Sequence, residues 1–219
     1  MNGTNLRREI ENTNNCDYRV SLIIPIYNMA EWLDTCFRSI LNQSIDPQMV
    51  EVLMIDDGSE DNSLDIMKRY SEKYSNFKCY TKENGGPAQA RNYGIKHATG
   101  KYLMYLDPDD YLGKNTIESV CNFFDRHYDE IDVVTYKIIP IKDGEEQDLH
   151  FRYEVLKSQG VYDLTEPENS FICHTTMNTC VKNKFEKNVL FSENLFYHED
   201  QKYNIDTLKE KQKIGYCDN

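Results

Sequence analysis

Apolar and polar positions along this chain fall into runs of two kinds. "VSLIIPIY", Val20 to Tyr27, is almost continuously apolar, rich in β-branched residues, and ended by Asn28. Such a run predicts a strand buried on both faces, as in a parallel sheet. Leu33, Cys36, Phe37, Ile40 and Leu41 then recur at helical spacing, one apolar face of an amphipathic helix. "VEVLMI", Val50 to Ile55, predicts a second buried strand. The turn "DDGSEDNS" supplies N-caps for a helix from Leu64 to Tyr74. "FKCYT", Phe77 to Thr81, predicts a third, weaker strand. The Gly-Gly-Pro turn of "ENGGPAQARNYGIKHATG" opens a short helix expected to stop at Gly100. "KYLMYL" is the fourth strand, Ile117, Val120, Cys121 and Phe124 mark another helix, and "IDVVTYKIIPI" returns to strand.

Strand–helix alternation at this spacing predicts a three-layer α/β fold, with a mostly parallel central sheet and right-handed crossovers. Loops at the carboxyl ends of the strands then gather at one crevice, where open α/β sheets hold ligands. Three of those ends carry unusual polar residues: Tyr27 and Asn28, then Asp56 and Asp57, then Asp107, Asp109 and Asp110. They are expected to meet in space.

Beyond Ile141 the pattern weakens. "KDGEEQD" reads as a loop or hairpin turn, and "TEPENSF" as a capped helix start. The stretch from Met177 to Leu208 reads as short strands around a Lys/Asn-rich turn, followed by a polar cluster entering a helix. The expected organisation is a polar tail over residues 1–19 and a single domain over residues 20–219. The last residues, "KQKIGYCDN", carry no stop signal, as expected of a chain cut short.

Composition narrows the class. The 219 residues carry a net charge of −12, a poor match to nucleic acid or an anionic lipid surface. An anionic small substrate would need a cation or a helix N-terminus to hold it. No stretch approaches the roughly 18 apolar residues of a membrane span, and the N-terminus lacks the apolar core of a secretory signal. The seven cysteines are odd in number, and no pair has C-x-x-C spacing, which argues against a disulfide framework or a zinc ribbon. A reducing, cytoplasmic compartment is the simplest expectation.

The candidate chemistry lies in the carboxylates. Asp107, Asp109 and Asp110 crowd a turn stiffened by Pro108, and like charges this close destabilise one another unless something neutralises them. A hard divalent cation, Mg²⁺ or Mn²⁺, would do so and keep positions open for substrate phosphates. The bland alternative is a solvated cap on the next helix. Asp56 and Asp57 could equally form an Asx turn. "NGGPAQARN" matches neither common phosphate-loop pattern, and Arg91 could be an exposed helical arginine. Glu199 and Asp200 at a helix start could merely compensate the dipole. Trp32 is expected to pack at the edge of the first helix.

Together, "SLIIPIYN", "LDTCFRSILNQS", "EVLMIDDGSEDNS", "NGGPAQARNYGIKHATGKYLMYLDPDD" and "YHED", in this order, resemble the family 2 inverting glycosyltransferases of the GT-A fold. The resemblance runs from about Val20 to Leu208. It implies that Pro25 and Tyr27 border a nucleotide base, with Glu31 nearby. It implies that Asp57, with Asp56 beside it, hydrogen-bonds a uracil-type base, and that Arg91 faces the site. Asp107, Asp109 and Asp110 would hold the ribose and a divalent cation, Mn²⁺ or Mg²⁺, with the direct ligand left open between Asp109 and Asp110. Asp200 would be the catalytic base and Glu199 its partner. The implied partners are a nucleotide-diphospho-sugar donor, UDP-linked, and a saccharide or lipid-linked acceptor. The implied setting is surface polysaccharide synthesis at the cytoplasmic face of a membrane, touched through elements beyond this chain.

Competing readings have sequence consequences. A sugar nucleotidyltransferase would open with a Gly-rich, basic loop after the first strand, and "IPIYNMAEW" offers neither. A receiver-type signalling module is shorter and lacks a fourth-strand acidic triplet. A degenerate transferase would bind a nucleotide-sugar without turning it over.

Overall fold

The structure is a computed structural model that describes residues 18–147, 156, 158–169, 178–184, 187–195 and 198–218. Residues 1–17 of the expected tail, Cys16, Cys173, His150, His174 and the end of "TEPENSF" lie outside the described residues.

Among the described residues the apolar runs form a central sheet of eight strands. They are β1 (Tyr18–Ile26), β2 (Val50–Asp56), β3 (Phe77–Thr81), β4 (Gly100–Tyr105), β5 (Val133–Tyr136), β8 (Gly160–Asp163), β9 (Thr179–Lys182) and β10 (Lys213–Cys217). A separate hairpin pairs β6 (Ile141–Lys142) with β7 (Glu145–Glu146). The sheet order is β3-β2-β1-β4-β9-β5-β10-β8. Strands β1 to β4 pair in parallel, as do β5 and β10, while β9 runs antiparallel between β4 and β5 and β8 antiparallel on β10. Mostly parallel is therefore correct, and the two reversed strands lie in the half where the sequence pattern fades.

Among the described residues five α-helices cover the sheet: α1 (Ala30–Leu41), α2 (Ser63–Lys73), α3 (Pro87–His97), α4 (Thr116–Arg126) and α5 (Glu199–Leu208). Side chains alternate across each strand, so neighbouring residues feed opposite layers. Leu22, Ile24, Val52, Met54, Tyr102 and Met104 pack with Leu33, Phe37, Met67, Val120 and Phe124 of α1, α2 and α4. Ile23, Leu53, Ile55, Leu103 and Tyr105 pack with Ala90, Ile95, Tyr203 and Leu208 of α3 and α5. Each large aliphatic side chain buried this way contributes about 1.5–3 kcal/mol of transfer free energy. That accounts for the two-sided apolar runs of β1 and β2.

Four expectations shift in detail. The strand expected over residues 131–141 is regular only at Val133–Tyr136, and its end becomes the hairpin. There Asp143 (φ 54°) and Gly144 (φ 80°) take the two left-handed positions a tight hairpin turn demands. The helix before Gly100 ends at His97, and Gly100 begins β4, its N–H donating to Ser21 Oγ at 2.9 Å. Trp32 is 49% exposed rather than packed. β8 and β10 were not expected at all.

Candidate active site

Loops at the carboxyl ends of the parallel strands are tied to one another in sequence order. Asp57 N donates to Ile26 O at 2.8 Å, joining the ends of β2 and β1. The first turn of α1 has no cap of its own. Its entering amides go instead to the loop after β2: Asn28 N to Ser59 Oγ (3.0 Å), Met29 N to Ser63 Oγ (2.9 Å) and Ala30 N to Asp61 Oδ2 (3.0 Å). Asn28 (φ 54°) returns a bond by accepting from Glu60 N at 2.8 Å. Pro25 is buried within β1, while Tyr27 and Glu31 stand exposed beside this knot.

Asp56 and Asp57 are both buried and differ in use. Asp56 accepts from Ser59 N and from Thr81 Oγ1, each at 3.1 Å, which closes the Asx turn and staples β2 to β3. Asp57 reaches the Gly-rich loop. It accepts from Lys82 Nζ at 2.5 Å, from Gly85 N at 3.0 Å and from Gly86 N at 2.7 Å. Gly86 sits at φ 88°, a left-handed conformation that glycine adopts without strain, and this sets the entry of Pro87 into α3. Lys82 and these amides are site components the sequence reading missed. Only the short distance between Lys82 and the Gly-Gly pair hinted at them.

Arg91 completes the assembly. Its guanidinium, nearly buried on α3, donates to Asp107 Oδ1 at 3.2 Å and to Glu199 Oε1 at 3.3 Å. One side chain thus joins the end of β4 to the first turn of α5, segments 92 residues apart in sequence (199 minus 107). Below it lies an aromatic floor. The guanidinium stands 5.4 Å from the Phe191 ring centroid, and Phe191 stacks on Tyr203 at 4.1 Å. Tyr105 meets Tyr203 through their hydroxyls at 2.6 Å. Asn92 fixes the Phe191 segment by accepting from Phe191 N and donating to Phe191 O, at 2.8 and 3.0 Å. Asn92, Tyr105, Phe191 and Tyr203 were also missed, because an apolar run does not reveal which of its aromatics will support a site.

Asp107, Asp109 and Asp110 gather on the turn after β4, closed by Asp110 N donating to Asp107 O at 3.1 Å. A carboxylate oxygen from each lies within 4.8 Å of the others. Burial raises the Asp107 carboxyl, and Arg91 opposes that shift without cancelling it. Desolvation, then the charges of Asp107 and Asp109, pushes Asp110 up to about 6. The cluster reaches α1 as well: the Cys36 thiol is pushed up first by burial and then by Asp110, Asp107 and Asp109. Three convergent carboxylates, two with raised pKa values, are an all-oxygen donor set that fits a hard divalent cation.

Asp200, in the first turn of α5, accepts from Gln201 N at 2.8 Å. His198 before it takes a left-handed conformation (φ 64°), turning the chain into the helix beside Glu199. Two networks result: β1–α1, β2–α2 and the Gly-rich loop are tied together around Asp57, and the acidic turn and the start of α5 are tied together by Arg91 of the helix that the Gly-rich loop opens.

This sheet and its crevice define a GT-A fold, the class whose known members move sugars from activated donors. TarS of S. aureus (residues 1–349) shares it with a TM-score of 0.78 and 25% identity, over 90% of this chain and 57% of that one. A complex of the same enzyme with UDP-GlcNAc aligns at a TM-score of 0.76 and 24% identity, over 92% of this chain and 58% of that one. The profile of Glycosyl transferase family 2 matches residues 21–188, and the chain belongs to that family. The minor teichoic acid biosynthesis protein GgaB of Bacillus subtilis (strain 168) is 37% identical over 209 residues, 93% of this chain and 22% of GgaB. The poly(ribitol-phosphate) beta-glucosyltransferase of Bacillus spizizenii is 36% identical over 115 residues, 52% of this chain and 18% of that enzyme. The chain thus spans about a fifth of the length of these two relatives. Among the described residues no helix is long and apolar enough to cross a membrane.

Proposed function

We propose that residues 20–219 act as one inverting, metal-dependent catalytic domain, moving a sugar from a UDP-linked donor to a hydroxyl of a polyol-phosphate or saccharide acceptor. The observation that carries this reading is the Arg91 bridge. It brings the acidic turn of β4 and the Glu-Asp start of α5 to one crevice, as a donor site facing a base requires. The names of the relatives supply the acceptor class, and the UDP-GlcNAc complex of TarS supplies the donor nucleotide.

Roles follow from position. Pro25, Tyr27, Glu31 and the Asp56–Asp57 pair border the base, with Asp57 also shaping the Gly85–Gly86 turn. Asp107 faces the ribose, and Asp109 and Asp110 hold Mn²⁺ or Mg²⁺. When bound, that ion supplies Lewis-acid stabilisation of the charge on a departing diphosphate. Arg91 ties Glu199 to Asp107. Asp200 accepts the proton of the attacking hydroxyl, and attack from the face opposite the leaving group inverts the anomeric centre. A positioned general base contributes on the order of 10²–10⁴ in rate. The setting that fits is polymer assembly at the cytoplasmic face of a membrane.

The test separates binding from chemistry. UDP with Mn²⁺ is expected to raise the melting temperature by mass action, and EDTA to remove the shift. Asp200→Asn is expected to retain that shift while transfer falls by roughly 10²–10⁴. A variant that loses both equally would remove Asp200 from the role of base. A nucleotide shift that ignores the metal would remove the cation from the reading.

A further inference from the structure

A cleft of about 610 Å³ lies outside the site described above, between α1 and the turn that follows the acidic triplet. Thr35, Arg38, Ser39 and Asn42 line one wall, and Tyr111 and Lys114 the other. The walls are fixed. Leu112 N donates to Ser39 Oγ at 3.0 Å, Gln43 Nε2 to Gly113 O at 2.7 Å and Ser44 N to Lys114 O at 2.9 Å. Tyr111, 53% exposed, directly follows Asp110, so one end of the cleft opens beside the candidate cation site.

The charge of the lining runs against the charge of the chain. Net charge is −12, yet the charged side chains of this cleft are Arg38 and Lys114. Lys114 forms no ion pair among the described residues, while Arg38 also acts on the Asp34 carboxylate and the Tyr70 hydroxyl. Asp34 already accepts from Arg69 at 3.0 Å and from the Tyr70 hydroxyl at 2.8 Å, so it only partly offsets the Arg38 charge. A guanidinium fork and an ammonium on opposite walls suit phosphate oxygens. Thr35 and Asn42 supply hydrogen bonds for hydroxyls, and the open Tyr111 ring suits the apolar face of a sugar. A neutral polysaccharide would cover Lys114 without pairing it, which costs affinity.

We infer that this cleft is an acceptor subsite that grips a phosphodiester of a soluble polyol-phosphate chain through Arg38 and Lys114, leading a hydroxyl of that chain toward the acidic turn. The inference rests on the proposed transferase reading and adds to it the position of the acceptor.

The test uses the 219-residue chain with a fluorescent poly(ribitol phosphate) oligomer, and a UDP–Mn²⁺ thermal shift as a parallel readout. Arg38→Ala with Lys114→Ala is expected to weaken oligomer binding by roughly tenfold for each cation lost. The UDP–Mn²⁺ shift should remain, and the exchange Arg38→Lys with Lys114→Arg should restore most of the oligomer binding. Oligomer binding unchanged in the double alanine variant, or absent from the parent chain, overturns the subsite. So does an equal, cation-dependent capture of phosphatidylglycerol vesicles, which would make the patch a membrane contact. Absence of the UDP–Mn²⁺ shift in the parent chain would fail the donor reading while the oligomer arm still reports on the cleft.

Discussion

Glu51 and Asp110 lie at opposite edges of the parallel part of the sheet, and their environments push them in opposite directions. Glu51 is completely buried near the start of β2. It accepts from Lys78 Nζ at 2.5 Å, from Thr99 N at 2.8 Å and from Ser21 Oγ, and these bonds hold its pKa below the usual value despite desolvation. Asp132, at the same edge, is ringed by Lys182, Lys184 and Lys211 and is also lowered. Asp125 takes Arg19, Lys101 and the Tyr102 hydroxyl. At the carboxyl edge Asp107 has one shared arginine and is raised, and Asp110 is raised to about 6. The same residue type is satisfied where it serves the fold and left under-satisfied where it faces a crevice. Under-satisfied carboxylates in a cleft are the physical mark of a site awaiting a partner.

The largest effect that could break this contrast is at the satisfied edge. Glu51→Ala would strand Lys78 and leave Ser21 and Thr99 without their acceptor. Removing one partner of a buried pair costs about 3–5 kcal/mol. Because Lys78 is itself a third exposed, the lower end of that range is expected. Urea denaturation measures the loss. A cost below about 1 kcal/mol would mean that Glu51 is not the staple its bonds suggest.

At the other edge the sign should reverse. Asp109→Asn with Asp110→Asn removes mutual repulsion, so the metal-free chain should melt no lower than its parent. Affinity for UDP with Mn²⁺ should fall about a hundredfold, which is about 2.8 kcal/mol. Calorimetric titration and a melting scan of one preparation read both. A large loss of stability without loss of affinity would make the acidic turn structural and erase the contrast.

How much of this was legible in the sequence depends on range. β1, β2 and the apolar face of α1 were readable because two-sided burial and a single helical stripe each leave a local signature. The carboxyl-edge residues were readable as types, since acids at strand ends are conspicuous, and the family resemblance gave their order. Partners were not readable. Glu51 looks like a flaw in an apolar run until Ser21, Lys78 and Thr99 arrive from three other segments. Asp57 does not announce Lys82 and the Gly85–Gly86 amides. The position of β9 between β4 and β5, and the existence of β8 and β10, depend on long-range pairing in short strands with little periodicity of their own. Trp32 misled because a lone tryptophan near a helix start reads as packing, and no local pattern shows which side of α1 the neighbouring elements leave open.

Acid should expose the satisfied edge more gently. Glu51, Asp125 and Asp132 all have folded pKa values lowered from starting values of 4.5 for Glu and 3.8 for Asp. A lowered group contributes stability above its unfolded pKa and loses it as pH falls through the folded one. Loss should therefore begin near pH 5 and deepen below pH 4, on the order of 1 kcal/mol by pH 4. Asp125, with a side chain 36% exposed, contributes least. Urea midpoints taken from pH 7 to pH 3.5 check the window. In Glu51→Gln the decline should be shallower, and an unchanged decline would assign the acid sensitivity to other carboxylates.

Trp32 supplies the smallest effect and the sharpest contrast within one helix. Leu33, its neighbour, is completely buried against the sheet, while Trp32 is 49% exposed at the carboxyl edge. Trp32→Ala is expected to change stability by no more than about 0.5 kcal/mol. Since it is the only tryptophan, its fluorescence reports this one position. Emission should be red-shifted and readily quenched by acrylamide in the folded chain, and it should move little on unfolding. A blue-shifted, protected indole together with a loss of several kcal/mol in the alanine variant would show that the helix start is covered. Trp32 would then belong with the satisfied, fold-bearing residues, and the open character of the carboxyl edge would shrink to the acidic turn alone.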